Sequence, residues 1–308
     1  MSVAFVINAR NKEKFVGKAV QSALSQSVPC EIVLSDQGST DNTYDVMRAE
    51  VDNYLAQRGE YDGYPAFHKV KVFHCPVRGP YGMQACNNHF RWAWQQTSPE
   101  CEVIYQLSAD DYSLPDRVKV CEEARAANPC SAIACTMYFE KPGAETRQSM
   151  SGYPQQSGYV KPGDGLLNLA YGSVITGYSR EFLEKMDEGG PNTLDVYYGF
   201  MAALDKGFYV VSNPQHVHLE HSGGEFQMGF QGKLRGADGD DAKRLAELNH
   251  FQLLQLYDAC ATAAQKFYPE GVNATDWNAL LNMIFGQAKG WLEARKVLHA
   301  DGITPGVL

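Results

Sequence analysis

Short apolar runs alternate with amphipathic stretches along the N-terminal part of the chain. Strands are predicted where apolar residues run together or alternate with polar ones, at residues 3–8, 31–35, 69–74, 102–107 and 131–138. Helices are predicted between them, where apolar residues recur at three- and four-residue spacing, at residues 14–25, 43–57, 81–95 and 115–128. Strands and helices that alternate through short connections form a mostly parallel sheet with helices on both faces. The pattern therefore predicts an α/β, Rossmann-like fold.

The C-terminal part of the chain follows a different pattern. Glycines recur in a polar stretch at residues 223–240, which indicates either a mobile lid over a site or a plain surface linker. Apolar residues return at helical spacing at residues 241–267 and 276–299. We therefore divide the chain into an α/β domain (1–222), a flexible loop or lid (223–240) and a helical C-terminal extension (241–308).

The composition is that of a folded globular protein. Of the 308 residues, 44% are hydrophobic and 20% are charged. The formal net charge of −9 argues against a protein that binds polyanions over its whole surface. A local basic patch remains open, because several basic residues lie close together in the C-terminal part: Lys233, Arg235, Lys243 and Arg244.

The cysteines and the N-terminus bear on where the protein works. The eight cysteines include no C-x-x-C pair, so we expect buried free thiols in a reducing cytosol rather than a zinc ribbon or a thioredoxin-like motif. The apolar run at residues 2–7 has no basic flank and is too short for a signal peptide core or a membrane span. No other stretch approaches membrane length. The expectation is a soluble, cytoplasmic protein.

Polar side chains stand at the ends of three predicted strands. Asn8 ends the first strand, Asp36 follows the second, and Asp110 and Asp111 follow the fourth. The carboxyl ends of parallel strands meet at one edge of a sheet, where α/β proteins bind ligands. Two adjacent carboxylates repel each other unless a cation compensates, and oxygen ligands suit Mg²⁺ or Mn²⁺. The pair therefore indicates a divalent cation, although it also fits a solvated turn or a cap of the next helix.

Four segments of this part of the chain carry recognisable motifs. They read VAFVINARN at residues 3–11, EIVLSDQGSTDNT at residues 31–43, RGPYGMQACN at residues 78–87 and SADD at residues 108–111. In sequence and in order they resemble the inverting family-two glycosyltransferases of the GT-A (nucleotide-diphospho-sugar transferase) fold. The resemblance implies that a sugar moves from a nucleotide-diphosphate donor, a UDP-sugar above all, to a hydroxyl of a glycan or another acceptor.

The resemblance also implies which residues bind the donor. Asp36 falls on the nucleotide-binding aspartate of the family, and Asn8 and Arg10 lie near it for the base and ribose. Arg78 and Asn87 belong to the segment that contacts the base or the phosphates.

A metal site and a catalytic base follow from the same resemblance. Asp110 and Asp111 match the acidic DXD motif, which holds Mn²⁺ or Mg²⁺ and the sugar diphosphate, and His221 matches a late histidine that serves as a metal ligand. Asp195 matches the general base that takes the proton from the acceptor hydroxyl, so that the sugar is transferred with inversion.

The sequence departs from the family pattern at four positions, and other functions remain open. Gln37, Cys86, Ser108 and Leu194 stand where the family has Asp, Arg, Asp and Glu, which leaves a non-catalytic nucleotide-sugar binder as an alternative. A nucleotidyltransferase is a further alternative, although residues 10–14 lack the glycine-rich loop typical of that class. A hydroxymethylated base in the DNA of a viral genome is an alternative acceptor, and it would need a basic surface.

Several of the candidate residues also have simpler structural interpretations. Asp195 suits the N-cap of the helix that follows it, and Asp36 suits a polar turn. Strand alternation puts His216 and His218 on one face and His221 on the other. A three-histidine zinc site stays open, but the alternation favours a single functional histidine.

Overall fold

The computed structural model describes residues 2–59, 68–76, 83–141, 146–149, 156–160, 175–186 and 194–219, together with 262 and 264–266. The predicted lid at residues 223–240 lies outside this part of the chain, as does most of the predicted helical extension. The division into domains therefore stays a prediction.

The described residues form one sheet and the helices that pack on it. The strands are β1 (Ser2–Ala9), β2 (Glu31–Asp36), β3 (Lys69–His74), β4 (Cys101–Ser108), β5 (Tyr112–Ser113), β6 (Ala132–Glu140), β7 (Gln148–Ser149), β8 (Gly158–Val160), β9 (Thr176–Ser179) and β10 (Phe208–Leu219). The helices are α1 (Val16–Leu24), α2 (Thr43–Gly59), α3 (Met83–Gln95), α4 (Arg117–Ala127), α5 (Arg180–Met186) and α6 (Leu194–Leu204). Within the described residues, no helix combines the length and apolar character that a membrane span requires.

The two halves of the sheet differ in strand direction. The strands lie in the order β3-β2-β1-β4-β9-β6-β10-β5, with β7 paired to β6 and β8 paired to β10. Neighbouring strands among β3, β2, β1 and β4 are all parallel. In the second half, β9 runs antiparallel to both β4 and β6, whereas β6 and β10 are parallel. The predicted α/β fold class is confirmed. The sheet was predicted to be mostly parallel, and it is parallel in the first half and mixed in the second.

The first two strands form the centre of the hydrophobic core. Residues 3–7 of β1 and 32–34 of β2 are all buried, as their continuous apolar runs predict for strands covered on both faces. Helices α1 and α3 both pack on β1. Helix α1 does so through Val16, Ala19, Val20 and Ala23, which recur at helical spacing and are fully buried. The parallel pairing of β1 with β2 places the carboxyl ends of these two strands next to each other.

A glycine allows β9 to enter the middle of the sheet. Gly177 lies opposite Tyr105 of β4, and a Cβ atom added at Gly177 would lie 2.5 Å from the Tyr105 ring. Tyr105 is itself fully buried and stacks on Phe5 of β1. A side chain at position 177 would therefore collide with an aromatic ring that has little room to move. The sequence pattern did not predict β9, because four residues that include a glycine carry too weak a strand signal.

Candidate active site

The strand register brings the predicted polar residues to one edge of the sheet. Asn8 of β1 lies opposite Ser35 of β2 on one side and opposite Ser108 of β4 on the other. One residue further along, Ala9 pairs with Asp36, and Asp36 pairs with His74 of β3. Four parallel strands thus end together, and the loops that leave them meet at this edge.

Asp36 organises the turn that leaves β2. Its side chain is almost completely buried, and its carboxylate accepts hydrogen bonds from the backbone N–H of Gly38 at 3.0 Å and from both the backbone and the hydroxyl of Ser39. Gly38 has φ of +67°, in the left-handed region that glycine adopts without strain. Asp36 therefore has the turn role that its position in the sequence suggested.

The loop after β1 is tied to this turn. Asn11 adopts the left-handed conformation with φ of +51°, and its side-chain oxygen accepts a hydrogen bond of 2.8 Å from Thr40 N. The backbone N–H of Lys12 donates to the Thr43 hydroxyl at 2.7 Å. These bonds hold the backbone of residues 11–12 against the start of α2, and they fix where the side chain of Lys12 begins.

An aromatic pair that the sequence pattern did not reveal stands beside Asp36. The imidazole of His74 stacks on the ring of Tyr44 with 3.6 Å between ring centroids, and its Nδ1 lies 3.6 Å from Asp36 Oδ2. The His74 side chain is 63% exposed, so this stack faces solvent at the edge where the strands end. One feature of the sequence indicated that His74 belongs to this edge: His74 ends β3 in the same way that Asp36 ends β2.

Asn8 offers an unsatisfied acceptor at the same edge. Its side-chain oxygen Oδ1 is buried and has no hydrogen-bond partner among the described residues. A buried acceptor without a donor costs about 1–3 kcal/mol, so a ligand that donates a hydrogen bond there would recover stability.

Ser35, which lies opposite Asn8 on the neighbouring strand β2, contacts a buried histidine. Its hydroxyl lies 2.7 Å from His89 Nε2. Burial lowers the pKa of His89 to about 4, so this imidazole is neutral at pH 7.

Asp110 is the less buried of the two adjacent aspartates. Lys12 Nζ lies 2.6 Å from Asp110 Oδ2, and the Ser108 hydroxyl donates to Asp110 Oδ1. Burial and the neighbouring Asp111 raise the pKa of Asp110, but the ammonium of Lys12 and the hydroxyl of Ser108 outweigh them, and the net shift is downward. The carboxylate is therefore ionised at neutral pH and paired with a cation from the β1 loop.

Asp111 faces the other way, into the protein. Its Oδ2 lies 3.1 Å from His216 Nε2, and its Oδ1 lies 3.0 Å from His218 Nδ1 and accepts a 3.1 Å hydrogen bond from Leu219 N. The side chain is 3% exposed. Burial alone would raise the pKa of Asp111, but hydrogen bonds from His216 and His218 hold it well below the usual range. Asp111 thus attaches β10 to the end of β4.

The hydrogen bonds around His216 set its protonation. Arg117 Nη1 lies 3.4 Å from His216 Nδ1, and because a guanidinium can only donate, Nδ1 is the accepting nitrogen. Nε2 then carries the hydrogen that is donated to Asp111. Burial lowers the pKa of His216, in agreement with a neutral ring. The completely buried Arg117 also donates to Ser113 Oγ and to the Gln106 carbonyl, each at 3.0 Å.

A divalent cation fits Asp110 better than Asp111. Among the described residues, no group of three or more His, Cys, Asp and Glu side chains is placed to enclose a metal ion. Mg²⁺ does not require such a group, since it is commonly held by one or two carboxylates together with substrate phosphates and water. Asp110 is a single carboxylate of this kind at the edge of the sheet, and its partner in the structure is Lys12. Both oxygens of Asp111 are already engaged by groups of β10.

The structure describes only some of the remaining predicted site residues, and some of those only along the backbone. Arg10 lies in the bend directly after β1, and Asn87 lies in α3. Asp195 is the second residue of α6, inside its first turn, where a carboxylate is favourable next to the positive end of the helix dipole. The side chains of Asn87 and Asp195 lie outside the described part of the structure, as do the whole residues Arg78 and His221.

Solved structures of other proteins share this fold. The 1–349 fragment of TarS from S. aureus is 16% identical to this chain with a TM-score of 0.62, and the match covers 97% of this chain and 79% of that one. The same fragment in complex with UDP-GlcNAc gives a TM-score of 0.57 at 16% identity, with 97% and 86% covered. The mannosyltransferase PcManGT from Pyrobaculum calidifontis, in complex with GDP-Man and Mn²⁺, gives 0.50 at 14% identity, with 96% and 84% covered. Identities this low establish a common fold alone.

The sequence itself identifies the family. A comparison with curated proteins gives no match. The model of the family described as Glycosyl transferase family 2 matches residues 4–209, from β1 to the beginning of β10. This segment is about two thirds of the chain and contains Asn8, Asp36, Asp110, Asp111 and Asp195. The protein therefore belongs to glycosyl transferase family 2, and it is a glycosyltransferase.

Proposed function

We propose that this glycosyltransferase moves a sugar from a nucleotide-diphosphate donor to an acceptor hydroxyl, with a divalent cation at Asp110 and inversion at the anomeric carbon. One observation carries the proposal. The ends of β1, β2 and β4 bring Asn8, Asp36 and Asp110 to a single edge of the sheet, inside the segment that the family model matches.

The nucleotide would bind at the side of this edge that lies toward β3. Asp36 shapes the turn, Asn8 offers its open Oδ1 to a donor group of the nucleotide, and Arg10 supplies positive charge nearby. The exposed stack of Tyr44 and His74 is an aromatic surface suited to a base. TarS has been solved with UDP and with UDP-GlcNAc, which supports a UDP-sugar as the donor. For Arg78 and Asn87 we propose the contacts with the base or the phosphates that the sequence predicts.

The diphosphate would bind at Asp110. A cation held there, Mn²⁺ or Mg²⁺, neutralises charge on the nucleotide diphosphate as the bond to the sugar breaks. PcManGT was solved with Mn²⁺, which supports this choice. Asp110 supplies a carboxylate that is ionised and close to the surface. Asp111 contacts His218 through Nδ1 and so orients that ring, while His221 remains a proposed ligand from the sequence alone.

Asp195 would act on the acceptor. Its carboxylate takes the proton from the attacking hydroxyl as the sugar is displaced from the opposite face of the anomeric carbon, and a single displacement of this kind inverts the configuration. The support is its match to the family base and its place in the first turn of α6.

The acceptor is proposed to be a hydroxyl of a glycan. Glycosylation of a hydroxymethylated DNA base is an alternative, whose supporting basic residues lie beyond the described part of the chain. Family membership favours glycosyl transfer over nucleotidyl transfer and over a non-catalytic binder. Buried thiols at Cys30, Cys101, Cys121, Cys130 and Cys135 are in keeping with work in the reducing cytoplasm.

A survey of donors tests the proposal. The protein is incubated with each common nucleotide sugar and Mn²⁺, and the release of nucleoside diphosphate is measured. We expect one UDP-sugar to be hydrolysed slowly without an acceptor, and we expect both chelation and Asp110→Asn to stop the release. If no nucleotide sugar is bound or hydrolysed with Mn²⁺ present, the proposed function is wrong.

A further inference from the structure

A lysine occupies the carboxylate that a divalent cation would need. Lys12 Nζ lies 2.6 Å from Asp110 Oδ2, and the two side chains are only 12% and 14% exposed. The other oxygen, Oδ1, accepts the hydrogen bond from Ser108. A metal ion and an ammonium cannot share Oδ2 without strong repulsion, so a cation can reach this oxygen only if Lys12 leaves it.

The fold holds the backbone of Lys12 and leaves its side chain able to turn. Asn11 reverses the chain after β1 with φ of +51°, and Lys12 N is hydrogen-bonded to Thr43 Oγ1. Strands β1 and β4 are direct neighbours, which puts the loop of Lys12 beside Asp110. Beyond this anchored backbone the lysine has a flexible four-carbon stem, so its ammonium can move several ångströms without any change of fold.

We propose that Lys12 is a resident cation that competes with the divalent metal for Asp110 and transfers to the donor diphosphate when the metal enters. The proposal rests on the proposed function, because the diphosphate is the second anion that it requires. Two consequences follow. The free protein binds metal weakly, and the nucleotide strengthens metal binding because it gives the displaced ammonium a new partner.

Mn²⁺ titration followed by electron paramagnetic resonance measures this competition directly, without nucleotide and without turnover. Lys12→Met removes the competing charge and should tighten Mn²⁺ binding at least roughly tenfold, the lower end of the effect that a neighbouring charge has on a carboxylate. Lys12→Arg keeps the charge and should bind Mn²⁺ as weakly as the unchanged protein. Lys14→Met removes a lysine of the same loop whose side chain is exposed, and it should have no effect. Adding Asp110→Asn to Lys12→Met should abolish the gain.

The same titration with UDP present tests the transfer to the diphosphate. UDP should tighten Mn²⁺ binding much more in the unchanged protein than in Lys12→Met, where there is no ammonium to move. The proposal is overturned if Lys12→Met binds Mn²⁺ no better than the unchanged protein, if Lys14→Met gains as much, or if UDP strengthens Mn²⁺ binding equally in both proteins. The nucleotide-free result is independent of the donor survey, so a failure of either is recognised separately.

Discussion

Asp110 and Asp111 are adjacent in the chain, but their carboxylates face different parts of the protein. Asp110 turns to the edge of the sheet and pairs with Lys12, whereas Asp111 turns inward and contacts His216 and His218 of β10. The repulsion expected between two neighbouring carboxylates is therefore relieved by two separate sets of partners. This division is why we propose the metal at Asp110 and a structural task for Asp111.

Substitution of the two aspartates should separate these roles. Asp111→Asn should lower the free energy of unfolding by about 1–3 kcal/mol, because it disturbs a buried hydrogen-bond network. Asp110→Asn should change stability less and should chiefly weaken binding of Mn²⁺ in the presence of UDP. Urea unfolding and Mn²⁺ titration of both variants check this. An Asp111→Asn protein of unchanged stability would show that the contacts with β10 contribute little.

Substitution of Gly177 tests the packing that admits β9 to the sheet. Gly177→Ala places a methyl group against the buried ring of Tyr105, and we expect a loss of about 1–3 kcal/mol in the free energy of unfolding. Gly158→Ala in β8 is the matched control, because no atom lies within 4 Å of the added Cβ there. Urea unfolding should place the control close to the unchanged protein. Equal stability of the two variants would contradict the described contact.

The stability of the protein should fall as the pH is lowered from 7 to 5. The pKa of His89 is lowered to about 4 in the folded protein, whereas an unfolded histidine has a pKa of about 6.5. The unfolded chain therefore binds the proton first, and protonation draws the equilibrium toward it as the pH falls below 6.5. This single group accounts for about 2 kcal/mol between pH 7 and pH 5.

Urea unfolding at both pH values measures this effect. In His89→Gln, which keeps a polar partner for Ser35 but cannot titrate, the decrease should be smaller by about that amount. A decrease of the same size in His89→Gln would show that His89 is not its source.

Local sequence patterns were sufficient to predict β1, β2, β3 and β4 and the helices between them. These strands are apolar runs or alternations bounded by polar turns, so the signal lies within a few neighbouring residues. Strands β5 and β9 are short, and partners distant in the chain hold them, which no local pattern records. The polar edge of the sheet was predictable for a related reason, because the ends of parallel strands coincide.

The partners at that edge were not predictable in the same way. His216 and His218 were expected on one strand face, and both contact Asp111, which confirms the alternation. The contact of these two histidines with Asp111 depends on the pairing of β10 with β5. This pairing joins residues that are distant in the chain, so no local pattern predicts it. The pairing of Lys12 with Asp110 likewise depends on the turn at Asn11. The DXD motif alone predicted that Asp110 and Asp111 both hold the metal ion.

Substitution of Asp195 tests the proposed general base. Asp195→Asn should leave UDP and Mn²⁺ binding unchanged and should reduce the rate of sugar transfer by roughly 10²–10⁴-fold, the usual contribution of a positioned base. Glu184→Gln on α5, an exposed carboxylate, is the control and should keep full activity. Single-turnover transfer with a competent acceptor is the measurement. A normal rate in Asp195→Asn would move the search to another carboxylate, such as Asp187 or Glu220.

The most direct test of the central claim is calorimetric titration of UDP into the protein with Mn²⁺ and again with chelator. The account predicts that Mn²⁺ strengthens UDP binding to the unchanged protein, and that this gain is lost in Asp110→Asn although the variant remains folded. Equal affinity for UDP with Mn²⁺ and with chelator, or an undiminished gain in Asp110→Asn, would contradict a metal-bound diphosphate at Asp110.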